Sequence, residues 1–175
     1  YGVRVFVDGA RLFNAAVGSE VSVQELVSPV DSVVIGLSKG LAVPFGSLLC
    51  GTNDFIKEAR INYRRIGSLS MHRAGIYAAA ALVGLQSMVE RLAEDHSRAR
   101  RLAEAVAEMK GLHVDLETVQ TNLVRVETDE SDYSAAEFAS ALAMEGIAVH
   151  AFEDQAFKFA LHVDVDDADI DETIG

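Results

Sequence analysis

Short hydrophobic runs alternate with longer helical patterns along the chain. Three apolar runs, each bounded by polar or turn residues, cover Val3 to Val7, Val33 to Leu37 and Ser47 to Gly51. Runs of this length are typical of buried strands, and a short helix beginning near Ala10 is predicted between the first two. Strands that alternate with helices predict an α/β fold with an open, mostly parallel sheet.

The middle of the chain is predicted to be helical. A helix over Phe55 to Arg65 follows the start signal Asn53-Asp54, and Met71 to Lys110 is a nearly continuous helical pattern that Gly111 ends. A helix of that length is typical of a connector between two lobes. We therefore expect three parts: residues 1–70 as the end of a large domain, 71–110 as a long connecting helix, and 111–175 as a small C-terminal domain.

The last part combines strands and helices. Strands are predicted at Thr121 to Thr128, Ile147 to Phe152 and Phe157 to Val163, with a helix over Ala135 to Glu145 and a helix beginning in the acidic run Asp166 to Ile174. This is an α+β pattern.

The two ends of the chain fall inside predicted elements. The sequence opens within a strand pattern and stops soon after its last helix begins. A parallel sheet of two or three strands would leave edges and faces exposed, which natural proteins avoid. We therefore expect a chain truncated at both ends, whose missing first half completes the sheet.

Composition narrows the classes of function. The net charge of −12 argues against a nucleic-acid partner and favours a halophilic source. The longest apolar stretch, Ile76 to Leu85, is shorter than the roughly 20 residues of a membrane span, and no signal peptide precedes it, so a cytoplasmic location is expected. Cys50 is the single cysteine. No metal site is expected, because the acidic run Asp164 to Asp171 lacks the glycine and glutamate of a calcium loop.

Two charged residues stand near the ends of neighbouring predicted strands. Asp8 ends the first apolar run, and Lys39 follows the second one. Pyridoxal phosphate (PLP) requires an amine that holds its aldehyde as a Schiff base and an anion that keeps its pyridine nitrogen protonated. Strand ends of a parallel sheet suit both groups. The spacing alone leaves a turn aspartate and a solvated lysine equally open.

A longer set of residues carries a family resemblance. The segments Asp8-Gly9-Ala10-Arg11-Leu12-Phe13-Asn14-Ala15 and Leu37-Ser38-Lys39-Gly40-Leu41, the latter followed by Pro44, Gly46 and Ser47, resemble the threonine aldolases of the β-eliminating lyase group. The similarity continues through Met71, the alanine-rich helix, Gln120-Thr121-Asn122 and His162-Val163-Asp164. It covers the whole chain, at the position of the family's latter half.

The resemblance implies a PLP-dependent transferase-like fold (fold type I) and a specific activity. Enzymes of this family cleave threonine, allo-threonine or related β-hydroxy-α-amino acids to glycine and an aldehyde. By position, Lys39 would be the Schiff-base lysine, Asp8 the partner of the pyridine nitrogen, Ala10 a packing contact for the ring, and Arg11 a group that binds the substrate carboxylate. The resemblance also implies a homodimer or homotetramer.

Two positions depart from the family pattern. His72 stands where an arginine near the cofactor phosphate is expected, and Lys158 stands where the family has an arginine four residues before His162. Lysine keeps the charge but lacks the two-pronged geometry of guanidinium, which predicts a changed carboxylate affinity or substrate preference. The phosphate loop and the catalytic base of the family are expected in the first half.

Other functions remain open at this point. Another fold type I enzyme, such as a β-eliminating lyase or an aminotransferase, uses the same lysine and aspartate, since only the substrate contacts select which bond breaks. A degenerate, non-catalytic homologue is the alternative from another class. The presence of both Asp8 and Lys39 argues against it.

Overall fold

The chain folds as two units, Tyr1–Arg91 and Leu92–Gly175. The structure, a computed structural model, describes residues 2–67, 74–129 and 133–175. Within these residues, every helix is too short or too polar to cross a lipid bilayer. The three-part division predicted at residues 70 and 110 stays a prediction.

The predicted strands of the first unit form a three-stranded sheet. Strand β1 (Phe6–Gly9) pairs in parallel with β2 (Ser32–Gly36), and β2 pairs antiparallel with β3 (Ser47–Gly51). Two short helices, α1 (Leu12–Ser19) and α2 (Val23–Val27), make the crossover that a parallel pair requires. Helix α2 has no counterpart in the predicted elements.

Strand β1 begins three residues later and ends two residues later than the predicted strand Val3 to Val7. The Val5 amide donates a hydrogen bond to Asp31 Oδ2 at 2.8 Å, and the Val5 carbonyl accepts one from the Asp31 amide at 2.9 Å. Val5 is therefore hydrogen-bonded to the residue just before β2, and the pairing of β1 with β2 begins at the next residue, Phe6. Asp8 is a residue of β1, paired with Val34, rather than the residue after its end.

The predicted continuous helix over Met71 to Lys110 is wrong. Two helices, α4 (Ala74–Ser87) and α5 (Leu92–Ala107), are separated by turn residues 88–91. All four turn residues are compatible with a helix, so local propensity does not explain the break. Tertiary packing does, because Met88 and Val89 pack against an apolar cluster of the first unit.

That cluster anchors the turn after β2. Leu37, Leu41 and Val43 are each no more than 4% exposed. The Ala42 amide donates to the Lys39 carbonyl at 3.0 Å, and the Val43 amide donates to the Leu37 carbonyl at 3.2 Å. The backbone of Lys39 is therefore held by buried neighbours on both sides and by a tight hydrogen-bonded turn.

Helix α4 approaches this turn at a glycine. A Cβ atom at Gly84 would lie 2.6 Å from Val43 Cγ2 and 2.9 Å from the Leu41 carbonyl oxygen. Both distances are shorter than van der Waals contact, and the second involves backbone. Only glycine therefore allows α4 to pack at this depth against the Lys39 turn. Elsewhere in this unit, helix α3 (Asn53–Arg65) ends as predicted but begins two residues before the predicted Phe55, with the Thr52 hydroxyl as its N-cap.

The second unit is a four-stranded antiparallel sheet with three helices. Besides α5, its described elements are β4 (Leu112–His113), β5 (Leu123–Thr128), α6 (Ala135–Met144), β6 (His150–Glu153), β7 (Ala156–Ala160) and α7 (Asp167–Ile174), with a 3₁₀ turn at Leu116–Thr118. The strand order is β4-β5-β7-β6. Helices α6 and α7 begin at capping boxes on Ser134 and Asp166, which confirms their predicted starts. Strands β6 and β7 are shorter than predicted.

The core of the second unit lies on one face of its sheet. Val124, Val126 and Phe157 are completely buried, and the Phe157 ring stacks on that of Phe138 with centroids 5.0 Å apart. Because side chains alternate along a strand, residues 125, 127 and 158 lie on the opposite, solvent-facing side. That side carries the charged residues Arg125, Glu127 and Lys158.

The contact at Gly84 can be tested with two alanine variants. Gly84→Ala is expected to destabilise the protein by about 1–3 kcal/mol despite the higher helix propensity of alanine, because the new methyl group overlaps Leu41 and Val43. Gly75→Ala in the same helix meets no atom within 4 Å and is expected to be neutral or stabilising by about 0.5 kcal/mol. Urea unfolding measures both. Equal effects of the two changes would contradict the close packing.

Candidate active site

Asp8 presents its carboxylate near the carboxyl end of β1. Since β1 and β2 are parallel neighbours, their carboxyl ends meet at one edge of the sheet, where ligands of open α/β sheets bind. The Asp8 side chain is exposed, and its Oδ1 atom accepts a hydrogen bond from the Ala10 amide at 3.1 Å. An ionised carboxylate has further lone pairs for a second donor. The side chain is thus oriented and still able to bind.

The turn after β1 lies directly against the end of β2. A Cβ atom at Gly36 would be 3.0 Å from the carbonyl oxygen of Ala10, and one at Gly9 would be 2.7 Å from the carbonyl oxygen of Val34. Larger residues at either glycine would push the two strand ends apart. The glycines therefore fix Asp8 and Ala10 relative to the segment that leads to Lys39.

Lys39 lies in the turn three residues beyond β2. Its side chain is exposed, although Leu37 and Leu41 on either side are buried. The sheet therefore brings Asp8, Ala10 and Lys39 to the same edge, each on backbone that packing holds in place. An exposed amine and an exposed carboxylate on rigid backbone form a donor set suited to a ligand with an aldehyde and a basic nitrogen.

Arg11 follows the same turn and is half-buried. Its Nε atom is buried and has no hydrogen-bond partner among the described residues. Burial lowers the pKa of the guanidinium from its ordinary value, yet an arginine stays charged at neutral pH. Its side chain does not cap α1, the helix that begins at the next residue. A buried cationic donor without an acceptor is costly, so this group is suited to binding an anion.

The two remaining predicted residues are outside this group. Lys158 lies on β7 in the second unit, half-buried, with its Nζ atom 5.4 Å from the centroid of the Phe152 ring. His72 lies outside the described residues.

Sequence reasoning missed the neighbours of Lys158. Arg125 is paired directly across the sheet from Lys158 and binds Glu127 and Glu153. The alternation of β5 places Arg125 on the polar face, so its exposure was readable from the pattern. Its position opposite Lys158, more than 30 residues later in the chain, could be predicted only from the register of β5 against β7. No local sequence pattern supplies that register.

Comparison with known proteins places these residues in a family. The family model for beta-eliminating lyases matches residues 1–129. The chain is 35% identical over 175 residues to low-specificity L-threonine aldolase 1 of Arabidopsis thaliana, covering 99% of this chain and 49% of that protein. It is 42% identical over 129 residues to a low specificity L-threonine aldolase of Escherichia coli O157:H7, covering 74% and 38% respectively. The chain thus spans about half the length, or less, of these relatives.

A solved structure confirms the predicted fold. A crystal structure from Listeria monocytogenes, assigned provisionally as an L-allo-threonine aldolase, superposes with a TM-score of 0.81 at 23% identity, covering 99% of this chain and 51% of that one. The α/β fold of the PLP-dependent transferase type, fold type I, is therefore shown. Since the matched model spans 129 of the 175 residues and includes Asp8, Arg11 and Lys39, the chain belongs to the beta-eliminating lyase family.

Proposed function

We propose that the protein containing this sequence is a PLP-dependent aldolase that cleaves threonine, allo-threonine or a related β-hydroxy-α-amino acid to glycine and an aldehyde. The observation that carries this proposal is the shared sheet edge of Asp8 and Lys39, set by the parallel pairing of β1 and β2. The two relatives described above, both named as threonine aldolases, support the choice of reaction.

The residues at this edge fit the cofactor. PLP supplies an electron sink for bond cleavage at the α-carbon of an amino acid. In this role the Lys39 amine would hold the cofactor aldehyde, and the Asp8 carboxylate would keep a proton on the pyridine nitrogen. The Ala10 methyl would pack against the ring. The tight packing around Gly36 and Gly84 keeps these three residues in fixed positions while substrate binds.

The carboxylate of the substrate is assigned to two cations. Arg11 supplies a planar guanidinium whose buried Nε finds no acceptor in the described part of the chain, and two-pronged binding would orient the amino acid so that the bond to be broken aligns with the cofactor. Lys158 is the second cation, by its position in the family pattern. His72 is assigned to the cofactor phosphate on the same ground. A lysine in place of an arginine supports a substrate preference different from that of the relatives.

A second reaction of the same site has its own support. The matching family model is described as beta-eliminating lyase, and a lyase would use Lys39 and Asp8 in the same roles. Its products would be a keto acid and ammonia rather than glycine and an aldehyde. An aminotransferase would release a keto acid without ammonia. Product analysis separates these reactions.

The oligomeric state, cellular location and source of the enzyme are also proposed. A homodimer or homotetramer is supported by large apolar side chains exposed on α4, among them Ile76, Leu82 and Val83, each more than half exposed in this chain. A cytoplasmic location and a halophilic source are proposed from the composition, with its net charge of −12.

The decisive experiment for the proposed reaction is aldehyde release from threonine and allo-threonine. The complete polypeptide containing this sequence is assayed with added PLP, at low and high salt, beside Lys39→Ala. Loss of the amine is expected to lower kcat by about a thousandfold or more. Lys57→Ala is the matched control, because Lys57 is an exposed lysine of the same unit that forms a surface ion pair with Asp54, and full activity is expected.

Either of two results would reject this proposal. Aldehyde release that survives Lys39→Ala would remove the lysine from the chemistry. Lysine-dependent formation of a keto acid and ammonia, with no aldehyde, would establish the lyase reaction instead.

The role of Arg11 is tested by a change that keeps its charge. Arg11→Lys is expected to raise KM for threonine by about tenfold to a hundredfold, because an ammonium cannot make the two-pronged contact. Threonine amide lacks the carboxylate and should be affected far less. Arg60→Lys, at an exposed arginine on α3, serves as the control. An equal loss with both substrates would show that Arg11 acts on structure rather than on the carboxylate.

A further inference from the structure

We infer that Arg125 is a positioning residue for Lys158. By binding Glu127 and Glu153, Arg125 leaves the Lys158 ammonium available, above the Phe152 ring, for the carboxylate of an amino acid. The inference deepens the proposed function and rests on it, because it takes Lys158 as a group that binds the substrate carboxylate.

The strand register creates the need for such a residue. Arg125 on β5 is directly opposite Lys158 on β7, and Lys158 is directly opposite His150 on β6. All three side chains project from the solvent-facing side of the sheet. Two like charges placed directly across strands destabilise a sheet. The pair of Arg125 and Lys158 therefore requires compensating charge nearby.

Two carboxylates supply that charge, and both are bound by the arginine. Arg125 Nη1 and Nη2 donate to the two oxygens of Glu153 at 3.2 and 2.8 Å. Its Nε and Nη2 donate to Glu127 Oε1 at 3.1 and 3.0 Å. These hydrogen bonds, those to Glu153 foremost, raise the pKa of Arg125, and the Arg125 hydrogen bond lowers the pKa of Glu153. The planar fork of arginine suits this double contact.

Lys158 is held by a different interaction. Its Nζ atom lies 5.4 Å from the Phe152 ring centroid, and Arg125 Cζ lies 5.0 Å from the same centroid. A ring face attracts a cation without consuming its hydrogen-bond donors. Within the described part of the chain, no carboxylate forms an ion pair with Lys158. The lysine is thus placed by the ring and keeps three N–H donors for a ligand.

Loss of Arg125 would change this arrangement. Glu127 and Glu153 would be left without their partner, beside a flexible lysine that shares the same aromatic ring. The lysine stem has enough freedom to turn toward them. An ion pair within the protein would then compete with the substrate carboxylate. Arg125 therefore acts through Lys158 and does not itself contact the substrate.

The test uses the complete polypeptide loaded with PLP. Arg125→Met is expected to raise KM for threonine, and the Kd of glycine measured by calorimetry, by about threefold to tenfold, with kcat nearly unchanged. The triple variant Arg125→Met, Glu127→Gln and Glu153→Gln removes the competing carboxylates and is expected to restore both values. A purely structural role of Arg125 would not be rescued in this way.

Two further variants complete the design. Arg100→Met removes an exposed arginine of the same unit that pairs with Glu104 at 2.6 Å, and it should leave both values unchanged. Lys158→Met should raise both values on its own, and adding Arg125→Met to it should have no further effect. Thermal unfolding confirms that each variant is folded.

The outcomes separate this inference from the proposed function. Unchanged KM and Kd in Arg125→Met, or an increase that the triple variant fails to reverse, would overturn the positioning role while the aldolase remains. If Lys158→Met leaves KM and Kd unchanged, the positioning role is overturned as well. If glycine binds but no aldehyde forms, the Kd values still decide the role of Arg125. A protein that neither binds glycine nor releases aldehyde would reject the proposed function and this inference together.

Discussion

The parallel pairing of β1 with β2 is the constraint on which the first unit depends. Parallel pairing sets the carboxyl ends of both strands at one edge and requires a crossover between them, which α1 and α2 provide. The close approach of Ala10 to Gly36 then removes the remaining freedom of the turn after β1. A ligand that bridges Asp8 and Lys39 would meet two groups whose separation the sheet has already determined, so binding would require little ordering of the backbone.

The turn that carries Lys39 combines an exposed side chain with a buried framework. Leu37 and Leu41 enter the apolar cluster, and α4 closes over them at Gly84. Because this framework fixes the backbone of Lys39, only the side-chain torsions of the lysine remain free. The position of its amine is therefore more narrowly defined than it would be on a mobile loop. The packing of Met88 and Val89 against the same cluster accounts for the break in the helical pattern at these residues. The packing of α4 on this turn overrides the local tendency to continue the helix.

Local signals in the sequence predicted part of the structure. Lys39 and Asp8 stand beside apolar runs that mark strands, while their proposed roles come from the family resemblance, and the predicted start of α6 coincides with a local capping box on Ser134. The features that escaped prediction depend on distant partners. Val5 leaves β1 because Asp31 binds it, and the ion pair of Arg125 with Glu153 joins residues 28 positions apart on different strands. Apolar periodicity reports which face of an element is buried, but not which element covers it.

The two cations assigned to the substrate carboxylate differ in how much of their hydration was removed when the chain folded. Arg11 has been partly dehydrated, and its buried Nε has no acceptor among the residues that the structure describes, so an arriving carboxylate would supply a contact that these residues do not provide. Lys158 remains half-exposed and hydrated, so a carboxylate there mainly exchanges water for an ion pair, which yields less. In the proposed reaction the orientation of the amino acid therefore rests on Arg11. Lys158 contributes attraction, to the extent that Arg125 keeps the neighbouring carboxylates occupied.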